Sequence, residues 1–303
     1  MTNRELSVMR AAVVRTFGGP EAVEVVESEL PEPGARQVRI KVAGAALNPV
    51  DLGVRAGFFG GAGKRVGLGW DVAGTVDAVG VGTVWSVGDE VVALHGGVAK
   101  ALGTHAEYVV VDTDAVAKAP VTVDAVHAAT LPLNALTAVQ ALDLLELTEG
   151  QSLLVTGAAG AVGGFAVQLA ARQGVSVTGL AREADEEFVR SLGAAQFTTT
   201  AAAGTFDAVL DTAVLGEAVL ERVRDGGAYV GVRPGAHPAS VRGVRTVSVS
   251  VGADGARLAE LAGLVDEGAL TLRVAETYAL DAVSKAHARL EEGGIRGRLV
   301  LVP

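Results

Sequence analysis

The run Ser152-Leu153-Leu154-Val155-Thr156 feeds Gly157-Ala158-Ala159-Gly160-Ala161-Val162-Gly163, and an apolar stretch follows to Gln173. This reads as a strand, a turn with glycines at every third position, and a helix. No other feature constrains the fold as strongly. A dinucleotide site needs a tight turn, close backbone approach to a pyrophosphate, and the exposed N–H groups of a helix start. Glycines also allow close helix–strand packing, so the triplet gains its weight from its setting. Strand-like and helix-like runs alternate around it: Val175–Leu180, Glu183–Leu192, Phe206–Asp211, Glu217–Val223, Ala228–Val232 and Val244–Val251. That alternation predicts a parallel sheet covered on both faces. Gly157, Ala159, Gly160, Ala161, Val162 and Gly163 are therefore candidate cofactor contacts, with Val232 at the end of a later strand.

The charge on the second strand's exit selects among nucleotides. NAD-preferring sites place an acid there for the ribose diol. Here Val175–Leu180 runs into Ala181-Arg182-Glu183, and the first charged side chain is Arg182. A guanidinium suits a 2′-phosphate, so NADPH is the expected cofactor. A solvated surface arginine is the competing interpretation, and Glu183 fits a helix N-terminal acid.

The flanking sequence differs in kind. Before residue 125, short Val- and Ile-rich runs dominate, among them Met9–Val14, Ala22–Val26, Gln37–Ala46, Val72–Val79, Glu90–Leu94 and Ala106–Val111, with turn residues between them. From Asp124 to Leu147 apolar residues recur at helical spacing. After Gly255 come a helix at Ala256–Glu267, β character at Leu272–Leu280, a helix at Asp281–Glu291 and a last strand at Arg298–Val302. The expected organisation is an α/β fold of two domains: a β-rich domain from residues 1–125 and 256–303, and a nucleotide-binding domain from 126–255.

Composition closes off several classes. The net charge of −10 disfavours non-specific nucleic-acid binding and attraction to anionic membranes. The absence of cysteine excludes disulfides, a thiol nucleophile, Cys-ligated zinc and an iron–sulfur cluster. Met1–Arg10 has no apolar signal core. Leu153–Ala171 is nearly free of polar side chains, but glycines crowd its middle, against a membrane span. A cytoplasmic protein without membrane or nucleic-acid partners is expected.

Several motifs resemble the quinone oxidoreductases of the medium-chain dehydrogenase/reductase superfamily. They are Gly-Ala-Ala-Leu-Asn-Pro-Val-Asp-Leu-Gly-Val-Arg-Ala-Gly (44–57), Gly-Trp-Asp-Val-Ala-Gly-Thr-Val (69–76), Val-Gly-Asp-Glu-Val (87–91), Gly-Thr-His-Ala-Glu-Tyr-Val (103–109), Leu-Pro-Leu-Asn-Ala-Leu-Thr-Ala (131–138) and the C-terminal segment 286–301. They occur in family order over nearly the whole chain. The resemblance implies a GroES-like catalytic domain built from both chain ends, an inserted doubly wound Rossmann domain, and an active site in the cleft. It further implies a homodimer joined through the last Rossmann strand, here Val244–Val251, which has little edge protection.

Zinc-dependent relatives place a Cys at Asn48, a His at Trp70 and a Cys or Asp near Leu133. None of the three residues here is a usual zinc ligand, and the structural-zinc loop is absent. The implied chemistry is hydride transfer to a quinone or an activated C=C of an enone or enoyl substrate. By resemblance, Asn48 lies near nicotinamide and substrate, Asp51 in the cleft or in a structural turn, and Thr137 on the nicotinamide side. Asn48 is equally suited to a turn before Pro49. Asp71 matches the acid beside the lost ligand and is expected to pair with an arginine, with Arg55 as the candidate. Arg298 offers a phosphate contact or caps a strand edge. Phe58, Phe59 and Trp70 form a candidate wall for a flat substrate, against the more common use of aromatics in cores. Family members often carry a tyrosine after the Gly-Ala pair at 193–194; Gln196-Phe197 stands here, leaving more of the phosphate recognition to Arg182. The alternative function is an NADPH-binding redox sensor or structural protein without turnover, since no residue is an indispensable acid or base. A zinc-dependent alcohol dehydrogenase is the third and least supported.

Overall fold

The computed structural model describes residues 7–60, 63–201 and 204–303. Residues 1–6, part of the Met1–Arg10 stretch considered above, lie outside them. The chain divides into two compact units. Met1–Leu133, Ala253–Gly268 and Leu272–Pro303 form the first, and Asn134–Gly252 with Ala269–Thr271 the second.

The chain opens with β1 (Val8–Val14), β2 (Val23–Glu29) and β3 (Gln37–Ala46), then helix α1 (Pro49–Arg55). There follow β4 (Val66–Gly67), β5 (Asp71–Val79), β6 (Glu90–Leu94), β7 (Tyr108–Asp112), β8 (Val116–Lys118) and the short helix α2 (Ala125–Ala128). Helix α3 (Pro132–Leu145) begins at the boundary and leads to β9 (Ser152–Thr156), α4 (Ala161–Arg172), β10 (Ser176–Leu180), α5 (Glu186–Ser191), β11 (Gln196–Thr198), β12 (Phe206–Asp211), α6 (Glu217–Leu220), β13 (Val223–Gly231) and β14 (Arg245–Ser248). The chain then returns to the first unit with α7 (Gly255–Asp266), β15 (Val274–Ala279), α8 (Val283–Glu292) and β16 (Arg298–Val302).

In the first unit β3 is the hub. Residues 40–44 alternate in burial, whereas Val38–Ile40 and Gly44–Ala46 are buried on both faces. It pairs antiparallel with β5, β7 and β16. The β16 pairing sets Val300 opposite Ala46 and Leu301 opposite Ala45, so the end of the chain is stitched beside the strand that delivers Asn48. A smaller sheet runs β2-β1-β4. Val38, Ile40, Val72, Val76, Val91, Val109 and Val111 fill one core, and Leu47, Val54, Leu68, Leu280, Leu299 and Leu301 another.

The expected boundary at 125/126 falls earlier than the observed one. Gly44 explains the difference: a Cβ there would meet the Ala125 carbonyl at 3.0 Å and the Ala129 methyl at 3.2 Å, so α2 rests directly on β3. The single helix expected over 124–147 is broken between α2 and α3, where Pro132 has no N–H to continue an earlier turn.

In the second unit six parallel strands run β11-β10-β9-β12-β13-β14. This is the doubly wound order in which strand sequence reverses between the first and fourth strands, here β9 and β12. Ligands in such sheets bind at the carboxyl ends of the strands flanking that reversal. The helix expected at Glu217–Val223 ends at Leu220, and Val223 instead opens β13. The span considered over Leu153–Ala171 is β9, the glycine turn and α4. Ala125–Leu145 is long and apolar enough to cross a membrane, with 83% of its apolar window buried within the protein.

Candidate active site

Two sets of residues carry the chemistry, one on each unit. In the second, the turn between β9 and α4 is shaped by its glycines. Gly157 has φ +60°, a left-handed conformation that favours glycine. A Cβ on Gly163 would fall on the Gly157 carbonyl oxygen, so the start of α4 can sit against the turn only without one. Gly160 caps α4 without a side-chain hydrogen bond, leaving the helix start without a polar side chain over it. Ala159, Gly160, Ala161 and Val162 are partly or fully exposed at this end, whereas Gly163 is buried. The first N–H groups of α4, at Ala161 and Val162, have no carbonyl one turn back to bond and no large side chain over them, so a pyrophosphate fits.

A buried network holds the turn from beneath. Asp211, at the end of β12, accepts from Thr156 Oγ1 at 2.6 Å, from the Tyr229 hydroxyl at 2.7 Å and from the Gly216 backbone N–H at 2.8 Å. Thr156 Oγ1 in turn accepts from the Ala213 N–H at 3.0 Å. Burial and this carboxylate push the Tyr229 hydroxyl pKa well above its usual value. Asp211 was not singled out in the sequence, although its place at a strand end beside the turn was the available signal. Val232 follows the last residue of β13 and is half-buried, and Thr137 is buried on α3.

Arg182 leaves the end of β10 with its side chain 66% exposed, and its Nε lies 3.3 Å from Oδ2 of the buried Asp185. That pair orients the guanidinium while leaving it open to solvent. A cavity of about 440 Å³ in this unit is lined by Ser152, Ser176, Thr178, Gln196 and Thr198. Ser152 and Ser176 are the first residues of their strands, so this cavity is at the opposite end of the sheet from the glycine turn.

In the first unit, β3 delivers Asn48 as the N-cap of α1, with Pro49 in the first helical position. Asp51 reaches back to the Asn48 backbone N–H at 2.9 Å, and its other oxygen accepts from the Gly69 N–H at 2.9 Å. Asp51 is fully buried. With both oxygens bound to backbone N–H groups, Asp51 braces α1 against the Gly69–Trp70 segment, which fits the structural-turn alternative and not a catalytic group.

Of the three positions where zinc relatives carry ligands, two meet on Asp71 and the third adjoins it in the chain. Asn48 Nδ2 donates to Asp71 Oδ2 at 2.6 Å, the Leu133 N–H donates to Oδ1 at 2.6 Å, and Trp70 precedes it in the chain. Burial pushes the Asp71 carboxyl up to about 7, against the pull of these hydrogen bonds and of Arg298. The arginine whose charge Asp71 feels is thus Arg298, whose own pKa burial lowers to about 10. The expected Asp71–Arg55 pair does not form. Arg55 Nη2 bonds Glu291 and its Nε bonds the Gly18 carbonyl at 3.1 Å. Among the described residues no group of three His, Asp or Glu is placed to hold a metal ion.

The proposed aromatic wall separates into two environments. Trp70 is buried, with the Lys100 ammonium 4.7 Å from its ring centroid. Phe58 and Phe59 are 78% and 48% exposed and lie over Gly53 of α1. Lys100 itself was missed in the sequence, where nothing in its Ala-Lys-Ala-Leu setting distinguishes it from a surface lysine.

Comparison with known proteins agrees with this architecture. Residues 34–121 match the alcohol dehydrogenase GroES-like domain family, and residues 183–301 match the zinc-binding dehydrogenase family. The chain is 31% identical to a 2-methylene-furan-3-one reductase of Solanum lycopersicum, over 98% of this chain and 80% of that protein. It is 32% identical to an NADPH-dependent alkenal/one oxidoreductase of Arabidopsis thaliana, over 97% of this chain and 80% of that protein. The solved quinone oxidoreductase of Coxiella burnetii superposes with a TM-score of 0.86 at 28% identity, covering 98% of this chain and all of that one. With a GroES-like unit, a doubly wound unit carrying a glycine cradle, and relatives of this kind along its whole length, the chain belongs to the medium-chain dehydrogenase/reductase superfamily and is a pyridine-nucleotide oxidoreductase.

Proposed function

We propose that the protein is a zinc-independent, NADPH-preferring reductase of quinones or α,β-unsaturated carbonyls. The observation that carries this reading is that Asn48 and Leu133 both bond Asp71, with Trp70 next to it in the chain. An amide, an indole and a backbone N–H stand where a metal would need imidazole, thiolate or carboxylate donors. The names of the tomato and Arabidopsis relatives place their own substrates among enones and alkenals, in support of the same class here.

Bound NADPH supplies the hydride. The backbone N–H groups of Ala161 and Val162 hold the pyrophosphate at the start of α4, where Gly160, its own N–H bonded to the Gly157 carbonyl, leaves room for close approach. Arg182 meets the 2′-phosphate, pre-aimed by Asp185. Thr137 and Val232 flank the nicotinamide half. Asn48, its amide bonded to Asp71 and to the Ala46 carbonyl, fixes the rigid cap of α1 beside the substrate. Trp70 supplies an apolar surface, and Phe58 and Phe59 add a solvent-facing one. Two copies associate through β14, the edge strand of the parallel sheet.

Titration of the purified protein with NADPH and NADH, beside Arg182→Ala, tests the cofactor assignment. NADPH should bind more tightly than NADH, and the variant should lose that preference. Consumption of NADPH by at least one quinone or enone supports the enzyme reading. Tight binding without turnover on any acceptor would instead favour a nucleotide sensor.

A further inference from the structure

The segment between β6 and β7 crosses the buried polar cluster of the first unit and brings Lys100 into it. A lysine ammonium has three N–H donors. Lys100 Nζ gives one to the Gly69 carbonyl at 2.7 Å and one to the His95 carbonyl at 2.5 Å. The ammonium also stands 4.7 Å from the centre of the Trp70 ring. Its remaining donor meets no protein oxygen or nitrogen among the described residues. The cation is therefore held in place at two points, beside an apolar ring face, with one donor unspent.

Resting on the enone-reductase reading above, we propose that Lys100 is the group that receives the substrate carbonyl oxygen and protonates it. Once a hydride has added at the β-carbon as a new C–H bond, the C=C electron pair would move toward the carbonyl to give an enolate. The enolate oxygen takes a proton from Lys100, an O–H bond forming as an N–H bond breaks. The neutral amine regains its proton from water, and the enol released becomes the saturated ketone. A fixed cation at the oxygen does the work that a metal would otherwise do, stabilising charge where it develops.

The surroundings set the working range. Burial lowers the Lys100 pKa to about 8, while Asp51 on α1 and Asp71 on β5 oppose the shift. His95 and His105 also face it. Burial lowers His95 to about 4 and depresses His105 as well, so neither competes as a cation near neutral pH. An acid with this pKa is protonated at pH 7 yet gives its proton up readily, as general acid catalysis requires.

The test compares wild type with Lys100→Arg and Lys100→Gln, following NADPH-dependent reduction of a simple enone from pH 6 to 10. Both variants keep donors for the Gly69 and His95 carbonyls, and NADPH affinity with thermal melting confirms that each is folded. In wild type, kcat should fall as pH rises through about 8. Lys100→Gln should lose on the order of 100-fold in kcat with NADPH affinity unchanged. Lys100→Arg should keep substrate affinity but lose the descending limb, because guanidinium does not titrate in this range. Folded variants within about threefold of wild type, or an unchanged limb in Lys100→Arg, would overturn the role of Lys100 alone. Wild type that turns over no enone would overturn the underlying reading, and this proposal with it.

Discussion

Single side chains divide into those that hold the site and those that meet a ligand. Asp51 belongs to the first kind, because each of its oxygens serves a backbone N–H. Asp51→Ala leaves two buried donors unpaired, each worth about 1–3 kcal/mol. Its melting temperature should therefore drop markedly while NADPH affinity of the folded protein stays unchanged. Arg182 belongs to the second kind. Arg182→Ala should weaken NADPH binding about tenfold, equivalent to about 1.4 kcal/mol, and leave NADH binding alone. His287 gives a pH signature. Burial, with help from His105 and Arg55, lowers its pKa to about 3, and both ring nitrogens lack partners. It is neutral in the folded chain and protonated in the unfolded chain below about 6.5. Its contribution to stability is thus complete above that pH and is lost as pH falls from about 6.5 toward 3, by up to about 1.4 kcal/mol per pH unit. His287→Leu should flatten the acid side of the stability profile by about one proton, as denaturant titrations at stepped pH would show.

Elements were legible where local pattern and tertiary role agreed. Gln37–Ala46, Glu90–Leu94, Ser152–Thr156, Phe206–Asp211 and Arg298–Val302 are strands over the ranges their apolar runs predict. The pattern failed where a boundary depended on distant contacts. Val223 reads as the end of a helix because Glu217–Leu220 precedes it, but the pairing of Val223 with Phe206 claims it for β13. The partners of Asp71 were equally hidden: Asn48, Leu133 and Arg298 are scattered along the chain, and only the fold brings them to one carboxyl group. The glycine turn shows the opposite case, since its function is written into spacing alone. Gly163→Val should prove this by abolishing measurable NADPH binding in calorimetry, because the added side chain collides with the Gly157 carbonyl. The first unit's cores, built from other segments, should keep their cooperative melt.

At the scale of the molecule, the chain interrupts one unit with another and closes the first by returning β16 to β3. The parallel sheet ends on β14, whose Arg245 is exposed and whose next three residues are half-buried in a single chain. An edge of that kind is open to strand pairing, and the proposed second copy would dock there. Thr246→Lys should shift the mass measured by light scattering from dimer to monomer; an unchanged dimer would place the interface elsewhere. The central claim is that this superfamily member reduces quinones or enones with NADPH and without zinc. The most direct measurement is the initial rate of NADPH oxidation with a quinone and an enone, on protein dialysed against a strong chelator and checked for metal content. The account predicts undiminished turnover of at least one acceptor by metal-free protein, with NADPH preferred over NADH. Activity that disappears with the metal and returns with zinc would contradict it.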